Sequence, residues 1–403
     1  MNLEHTASMI RYELPKSWIQ YDLHTVASEL VEAKSAVLSL RTIPYQRGWV
    51  EALQQMELKR EVAGTSRIEG AEFTERELDA AMKETPEQLL TRSQRQVHAA
   101  VNSYRWIANL PDDRPVDAEL VCEIHRRIVT GADDDHCPPG QIRRRDENVN
   151  FGLPRHRGAE GGEECALAFA EFTRAIQHEY REHDPLIRAL AAHYHLAAMH
   201  PFLDGNGRTA RALEALMLQR AGLRDTCFIA MSNYYYDEKN VYLSALNEVR
   251  PREHNLTAFL VFGLKGIAIQ SRRLLAEIQY QISKELFRNL MFDLFHRLRT
   301  PRKRVIAERQ IEILKLLLEV DWMDLDQIIQ RTASSYNSLR NPRKAVIRDL
   351  NEVIRLKAVK FEKLAENRYR LGVRLEWPTE ITETAFFEHL KALPKAKTHS
   401  FLQ

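Results

Sequence analysis

The chain has 403 residues, 28% of them charged and 44% apolar, with a formal net charge of +2. That length allows more than one domain with a large core, and the composition is ordinary for a soluble globular protein. A balance this near zero makes no compositional case for nucleic acid or an anionic membrane as partner, and no apolar run is long enough to span a bilayer. The N-terminus, MNLEHTASMIRYELP, has no apolar signal-like core. Cys122, Cys137, Cys165 and Cys227 are scattered and form no CxxC pair. This argues against a zinc ribbon or a disulfide framework and fits a reducing, cytoplasmic setting.

In chain order, residues 1–110 read as an N-terminal helical region. Within it, in TSRIEG, Thr65 and Glu69 share a helix face and Gly70 is a C′ stop. Glu69 then falls in the last turn, where the helix dipole disfavours a negative charge, so an arginine partner would explain it. The turn-rich PDDRP, from Pro111 to Pro115, opens a second helical unit over 111–270. Within it, CPPGQIRRRDENVNFG, Cys137 to Gly152, runs from turn residues into a short alternating stretch and includes three consecutive arginines, Arg143 to Arg145. The stretches AFAEFTRAIQHEY, IRALAAHYHLAAM and RALEALMLQRAG follow with helical spacing. Asp184-Pro185 reads as an N-cap and first helical position, and that helix runs to His200, where Pro201 turns the chain.

The stretch HPFLDGNGRTAR, His200 to Arg211, concentrates the chemistry. Gly205-Asn206-Gly207 opens the next helix, so its free N–H groups and the helix dipole make an anion site. Arg208 and Arg211 share one face and suit a polyphosphate. Asp204 is placed to hold Mg²⁺ between phosphates, and His200 titrates near neutrality and could accept a proton. His193 and His200 lie two turns apart, roughly 10 Å, too far to share one ion, so His193 and His195 read as packed or surface residues. The tyrosines of SNYYYDEKNVYLSALNEVR, at helical spacing, read first as core.

Residues 271–300 read as a helical linker leading to the basic run PRKR, Pro301 to Arg304. Over 301–375 the order is helix (ERQIEILKLLLEV), helix (LDQIIQRT), helix (PRKAVIRDLNEVIRL), then strands AVKFEK and RYRLGV joined by LAEN. This is the order of a winged helix-turn-helix, with Arg340, Arg343, Lys344 and Arg348 placed to meet phosphates. Residues 376–403 form a tail without a clear pattern.

HPFLDGNGRTAR resembles the Fic (Fido) signature HPFx[D/E]GNGRxxR at every specified position. The resemblance spans roughly residues 60 to 265. It implies a mainly α fold: a helical core with a β-hairpin flap, flanked here by the N-terminal helices and the winged-helix-like unit. The implied activity is protein adenylylation, the transfer of AMP from ATP with Mg²⁺ to a Ser, Thr or Tyr hydroxyl of a protein, itself included. By position, His200 is the general base and Asp204 the metal ligand. The ATP-binding segment is Gly205, Asn206, Gly207, Arg208, Thr209, Ala210 and Arg211, and Phe202 is a buried anchor. TSRIEG resembles the inhibitory motif [S/T]xxxE[G/N] of the class with an N-terminal inhibitory helix. Thr65, Glu69 and Gly70 then form a brake in which Glu69 pairs with Arg211 and blocks the γ-phosphate site. Val149, Asn150, Phe151 and Gly152 match the end of the flap, which would align an extended target by main-chain bonds. The neighbouring arginines would favour acidic targets. Tyr242, Leu246 and Arg250 are expected at the base, although Tyr242-Leu243 replaces the family's paired tyrosines. Family habit implies a homodimer, which no residue states by itself. Two rivals stand beside this reading: a DNA-binding regulator in which the Fic unit senses nucleotide, and an enzyme that removes AMP hydrolytically with Glu69 positioning water.

Overall fold

The computed structural model describes residues 9–43, 47–83, 89, 91–152, 155–223, 229–297, 301–365, 368–392 and 399–402. Cys227, the Glu366 and Asn367 of LAEN, and the side chains of the basic run 301–304 lie outside the described residues. The chain is mainly helical and divides into two compact units, one up to Ala276 and one from Glu277 onward.

The first unit opens with β1 (Ile10–Arg11), α1 (Leu23–Thr42) and α2 (Arg47–Ile68). Then come α3 (Glu75–Ala81), α4 (Arg92–Ala108) and α5 (Ala118–Val129). Local chemistry starts several of these. Thr74 with Glu77, and Thr91 with Gln94, form reciprocal capping boxes at α3 and α4. Asp117 accepts the Leu120 N–H at 2.8 Å to cap α5. Two short strands, β2 (Asn150–Phe151) and β3 (His156–Arg157), pair antiparallel, and β1 joins β3 in parallel. The sheet order is β1-β3-β2, which leaves β2 on an edge. The expected flap is thus a three-stranded sheet completed by a strand from the N-terminal region.

The unit continues with α6 (Glu163–Gln177), α7 (Pro185–Met199), α8 (Asn206–Leu218), α9 (Met231–Asp237) and α10 (Lys239–Val249). Helix α7 packs along α8, α5 lies against α8, and α2 lies against α9. Ile187, Leu190, Phe202, Leu213 and Phe259 are fully buried at the centre. The α2–α9 contact is backbone to backbone. A Cβ on Gly64 would stand 2.4 Å from the Ser232 C and Asn233 N atoms. Next to it, the buried Glu61 carboxylate accepts the Ser232 N–H at 2.8 Å and the Tyr104 hydroxyl at 2.8 Å. Because Ala230 supplies no side-chain cap to α9, Glu61 does this job from α2.

Helix α11 (Thr257–His296) includes the boundary between the units, and most of the segment 271–300 falls within it. The second unit continues with α12 (Pro301–Glu319), β4 (Met323–Asp324), α13 (Leu325–Arg331), α14 (Ala333–Tyr336), α15 (Pro342–Arg355), β5 (Val359–Ala365) and β6 (Arg368–Val373). Its sheet order is β4-β6-β5. Phe287, Leu314, Tyr336, Leu350, Leu371 and Trp377 are buried in its core. Helices α16 (Trp377–Glu380) and α17 (Glu383–Ala392) follow. Among the described residues no helix is long and apolar enough to cross a membrane.

Candidate active site

Asp184 accepts the Leu186 N–H at 3.0 Å and Pro185 takes the first position, so α7 starts where the sequence signals it. The helix ends at Met199, and His200 adopts a left-handed conformation, φ 49° and ψ 61°, which is strained for a residue with a Cβ. Arg143 holds that turn. Its Nε donates to the His200 carbonyl at 2.7 Å, its other nitrogens donate to the Glu147 and Ala159 carbonyls, and its own N–H bonds Pro201 O at 2.8 Å. The Arg143 to Arg145 run is therefore not one solvated basic turn: Arg143 is 1% exposed, while Arg144 and Arg145 face solvent.

His200 Nδ1 donates to the Ala197 carbonyl, which leaves Nε2 as the basic nitrogen. Burial pushes its pKa down to about 4, so the ring is neutral at physiological pH. Phe151 of β2 stacks on the imidazole, centroids 3.6 Å apart and planes within 5°. Both rings line a cavity of about 470 Å³. Gly152, Gly207, Arg211, Glu69, Tyr242, Leu246 and Arg250 also line it.

Arg211 is 2% exposed, and Glu69 Oε1 accepts from its Nη2 at 2.5 Å. Thr65 Oγ1 accepts from Arg211 Nε at 2.9 Å. Burial raises the Glu69 pKa, but the Arg211 charge and hydrogen bond outweigh it and hold the carboxyl below its usual range. The backbone delivers Glu69 through a Schellman ending: Ala71 N–H reaches Ser66 O and Gly70 N–H reaches Arg67 O, with Gly70 at φ +86°. Glu69 is thus the residue just past α2. Lys239 Nζ donates to the Ile68 carbonyl at 2.9 Å and adds a charge at the same helix end. Gly207 permits the contact, since a Cβ there would lie 2.3 Å from Glu69 Oε1.

The other half of the motif faces a second cluster. Arg208, 4% exposed, donates to Asp133 at 2.6 Å. Asp133 also accepts from Arg92 and Gln96. His136 Nε2 bonds the Asp204 carboxylate at 3.0 Å. Ligand atoms of Asp133, His136 and Asp204 all lie within 4.8 Å of one another. The residues fit a hard divalent cation in part. Asp204 is 38% exposed and, although burial raises its pKa, the His136 bond, the Gly205 N–H and Arg208 hold it low, so it offers an ionised oxygen. Asp133 has its oxygens committed to arginine and glutamine donors.

Several expected residues serve the loop rather than the cavity. Asn206 Oδ1 accepts the Phe202 N–H at 2.9 Å and its Nδ2 donates to Phe202 O at 2.8 Å, closing the loop on itself. Gly205 takes φ +72° at the start of α8. Thr209 Oγ1 donates to Gly205 O at 2.8 Å, and both Thr209 and Ala210 are buried away from the cavity lining. Val149 and Asn150 lead into the flap but do not line the cavity. Tyr242 OH bonds His193 Nε2 at 2.9 Å, and His193 Nδ1 contacts the buried Glu214, so His193 is a core residue. His195 bonds the Trp18 carbonyl. Arg250 lines the cavity, yet its guanidinium donates to the Ile10, Arg157 and Ala198 carbonyls, tying the flap sheet to α7.

Sequence reasoning missed Arg143, Asp133, His136, Lys239 and His125. Phe202 stacks on His125 with centroids 3.7 Å apart, and His125 Nε2 bonds Asp204 O at 3.1 Å. The polar turn around Asp133 and His136, in GADDDHCPPG, was a usable signal, whereas nothing local marks Arg143 or Lys239.

Residues 115–218 match the Fic/DOC family. The chain is 36% identical over 116 residues to the protein adenylyltransferase Fic of Drosophila melanogaster, covering 28% of this chain and 22% of that protein. To its Drosophila ananassae counterpart it is 34% identical over the same length and shares. The match thus spans about a fifth of these relatives' length. Among solved structures, a Fic family protein from Desulfovibrio desulfuricans G20 superposes with TM-score 0.55 at 16% identity, covering 90% of this chain and 98% of that one. Fic-1 (residues 134–508) of C. elegans gives TM-score 0.53 at 19% identity, over 64% of this chain and 74% of that one. The fold, the motif and the matched segment agree, and residues 115–218 of the chain are a Fic domain.

Proposed function

We propose that the chain is a protein adenylyltransferase held in check by Glu69. One observation carries the reading: a neutral His200 with a free Nε2 and the buried Arg211 border the same cavity, and Glu69 occupies the arginine. In the forward reaction a Ser, Thr or Tyr hydroxyl gives its proton to His200 Nε2 as its oxygen attacks the α-phosphorus of ATP. The bond from that phosphorus to the bridging oxygen breaks, and pyrophosphate leaves. Arg211 would hold the terminal phosphate once Glu69 withdraws, and the N–H groups at the start of α8 would take the neighbouring charge. Asp204 would hold a divalent cation, which neutralises phosphate charge. The edge position of β2 supports alignment of an extended target segment by strand addition.

Transfer of α-labelled ATP to the protein and to a lysate tests this. Glu69→Gly should label strongly, the wild type weakly, and Glu69→Gly/His200→Ala not at all. Equal labelling in the first and third would exclude His200 as base. The position of the Glu69 carboxylate on the same cavity wall also supports hydrolytic removal of AMP, which release of AMP from a modified protein would reveal.

A further inference from the structure

We propose that the second unit binds duplex DNA through the N-terminal half of α15 and the β5–β6 hairpin. From Asn337 to Arg348 the chain has no carboxylate. Its exposed side chains are Arg340, Arg343, Lys344 and Arg348, and otherwise only asparagine and serine; Arg348 is about half exposed and bonds Asp349 at 2.8 Å. Arg340 lies just before α15, Arg343 and Lys344 sit in its first turn, and Arg348 is one turn beyond Lys344, so the cations cluster where the helix begins. The whole chain is nearly neutral, so this is a local concentration of charge rather than a general one.

The placement runs against helix stability. Cations in a first turn face the positive end of the dipole, and α15 has no acidic residue there. Asn341 makes no side-chain capping bond, so the first-turn N–H groups point outward beside the arginines. An external polyanion satisfies both. The helix is also held firmly: buried Asp349 accepts from Arg309 at 3.0 Å and from the Tyr336 hydroxyl at 3.1 Å, locking α15 onto α12 and α14. The exposed Arg343–Asp326 bridge, at 3.3 Å, is readily exchanged for a phosphate.

The hairpin adds a second contact. After Val359 every residue of β5 is exposed, Lys360, Glu362 and Lys363 among them, and Arg368 opens β6 in an exposed 3.3 Å bridge to Asp324. A helix that fits the major groove beside a basic ribbon is a duplex-reading geometry. A protein partner would call for an exposed apolar or aromatic anchor, and the basic face of α15 has none, since Leu339 and Ile347 are half-buried; the exposed Phe361 and Leu364 lie on the hairpin rather than on that helix.

The test is fluorescence anisotropy of the full chain with a labelled mixed-sequence duplex, titrated at salt from about 50 to about 200 mM. Four phosphate contacts give a slope of log K on log salt of about −3.6, or about a hundredfold weakening across that range. Arg343→Glu/Lys344→Glu should weaken binding at least about tenfold at low salt and flatten the slope. The milder Arg343→Gln/Lys344→Gln should fall between, and circular dichroism melting checks that both remain folded. No binding of the wild type at low salt, binding unchanged in both variants, or equal binding to single strands or polyglutamate would each overturn the proposal. Nucleotide transfer plays no part in these readouts, so the outcome is independent of the adenylyltransferase reading.

Discussion

Burial keeps the His200 imidazole neutral down to about pH 4, and the Ala197 carbonyl fixes its proton on Nδ1. A base acts only in its deprotonated form, so activity is lost as pH falls through that value rather than through the ordinary histidine value of about 6.5. In Glu69→Gly the acid limb of kcat/KM should therefore lie well below 6, and a limb at 6.5 would mean that the ring is solvated in the working enzyme. Arg143 acts through His200 by gripping its carbonyl, and is a positioning residue. Arg143→Lys cannot reproduce the fork of donors. In the Glu69→Gly background it should lower turnover by about ten- to a hundredfold while ATP affinity stays within a factor of about two. Unchanged turnover would show that the left-handed turn holds without it. His200 was legible in the sequence because its motif is contiguous. Arg143 was read as a surface charge because its burial depends on carbonyls that only the folded loop brings near.

Helix α2 carries Glu61 and Thr65 four residues apart on one buried face, with Gly64 beside them, and Glu69 follows just past its end, partly exposed. Gly64→Ala would put a methyl against the α9 backbone, which cannot yield as a flexible side chain would. We expect a loss of about 1–3 kcal/mol, seen as a lower Tm, together with raised labelling as the helix end shifts off Arg211. A lower Tm without raised labelling would separate the packing of α2 from the brake. The pairing of Glu69 with an arginine was foreseeable from its place at a helix end. The need for glycine at 64 was not, because the surface it meets comes from Ser232 and Asn233, far along the chain. The flap shows the same limit: the alternation near Asn150 and Phe151 was visible, but the β1 strand that completes the sheet pairs across the same kind of distance.

At the scale of the chain, the family match covers 115–218, yet the cavity takes Glu69 from before that segment and Tyr242, Leu246 and Arg250 from after it. The matched segment alone holds His200, Arg208 and Arg211. Glu69 and the far wall come from flanking segments with weaker signatures, which is why those assignments drew on resemblance more than on the residues. Helices α12, α13 and α15 of the second unit were legible from periodicity, since each apolar stripe is local, whereas the short α14 and the helices α16 and α17 of the tail were not. The cations around the start of α15 were also legible in the sequence, whereas the burial of Asp349 and its bonds to Arg309 and Arg348 were not, because Arg309 lies forty residues away.

The Glu69–Arg211 contact is made within one chain, so the proposed inhibitor is present at a fixed effective concentration that no dilution lowers. Labelling by the intact protein should therefore not depend on its concentration. A single cut between Gly70 and the matched segment would turn the same contact into a bimolecular one. Specific activity of the nicked protein should then climb on dilution, and a flat response would mean that the buried face of α2 holds the two fragments together by itself.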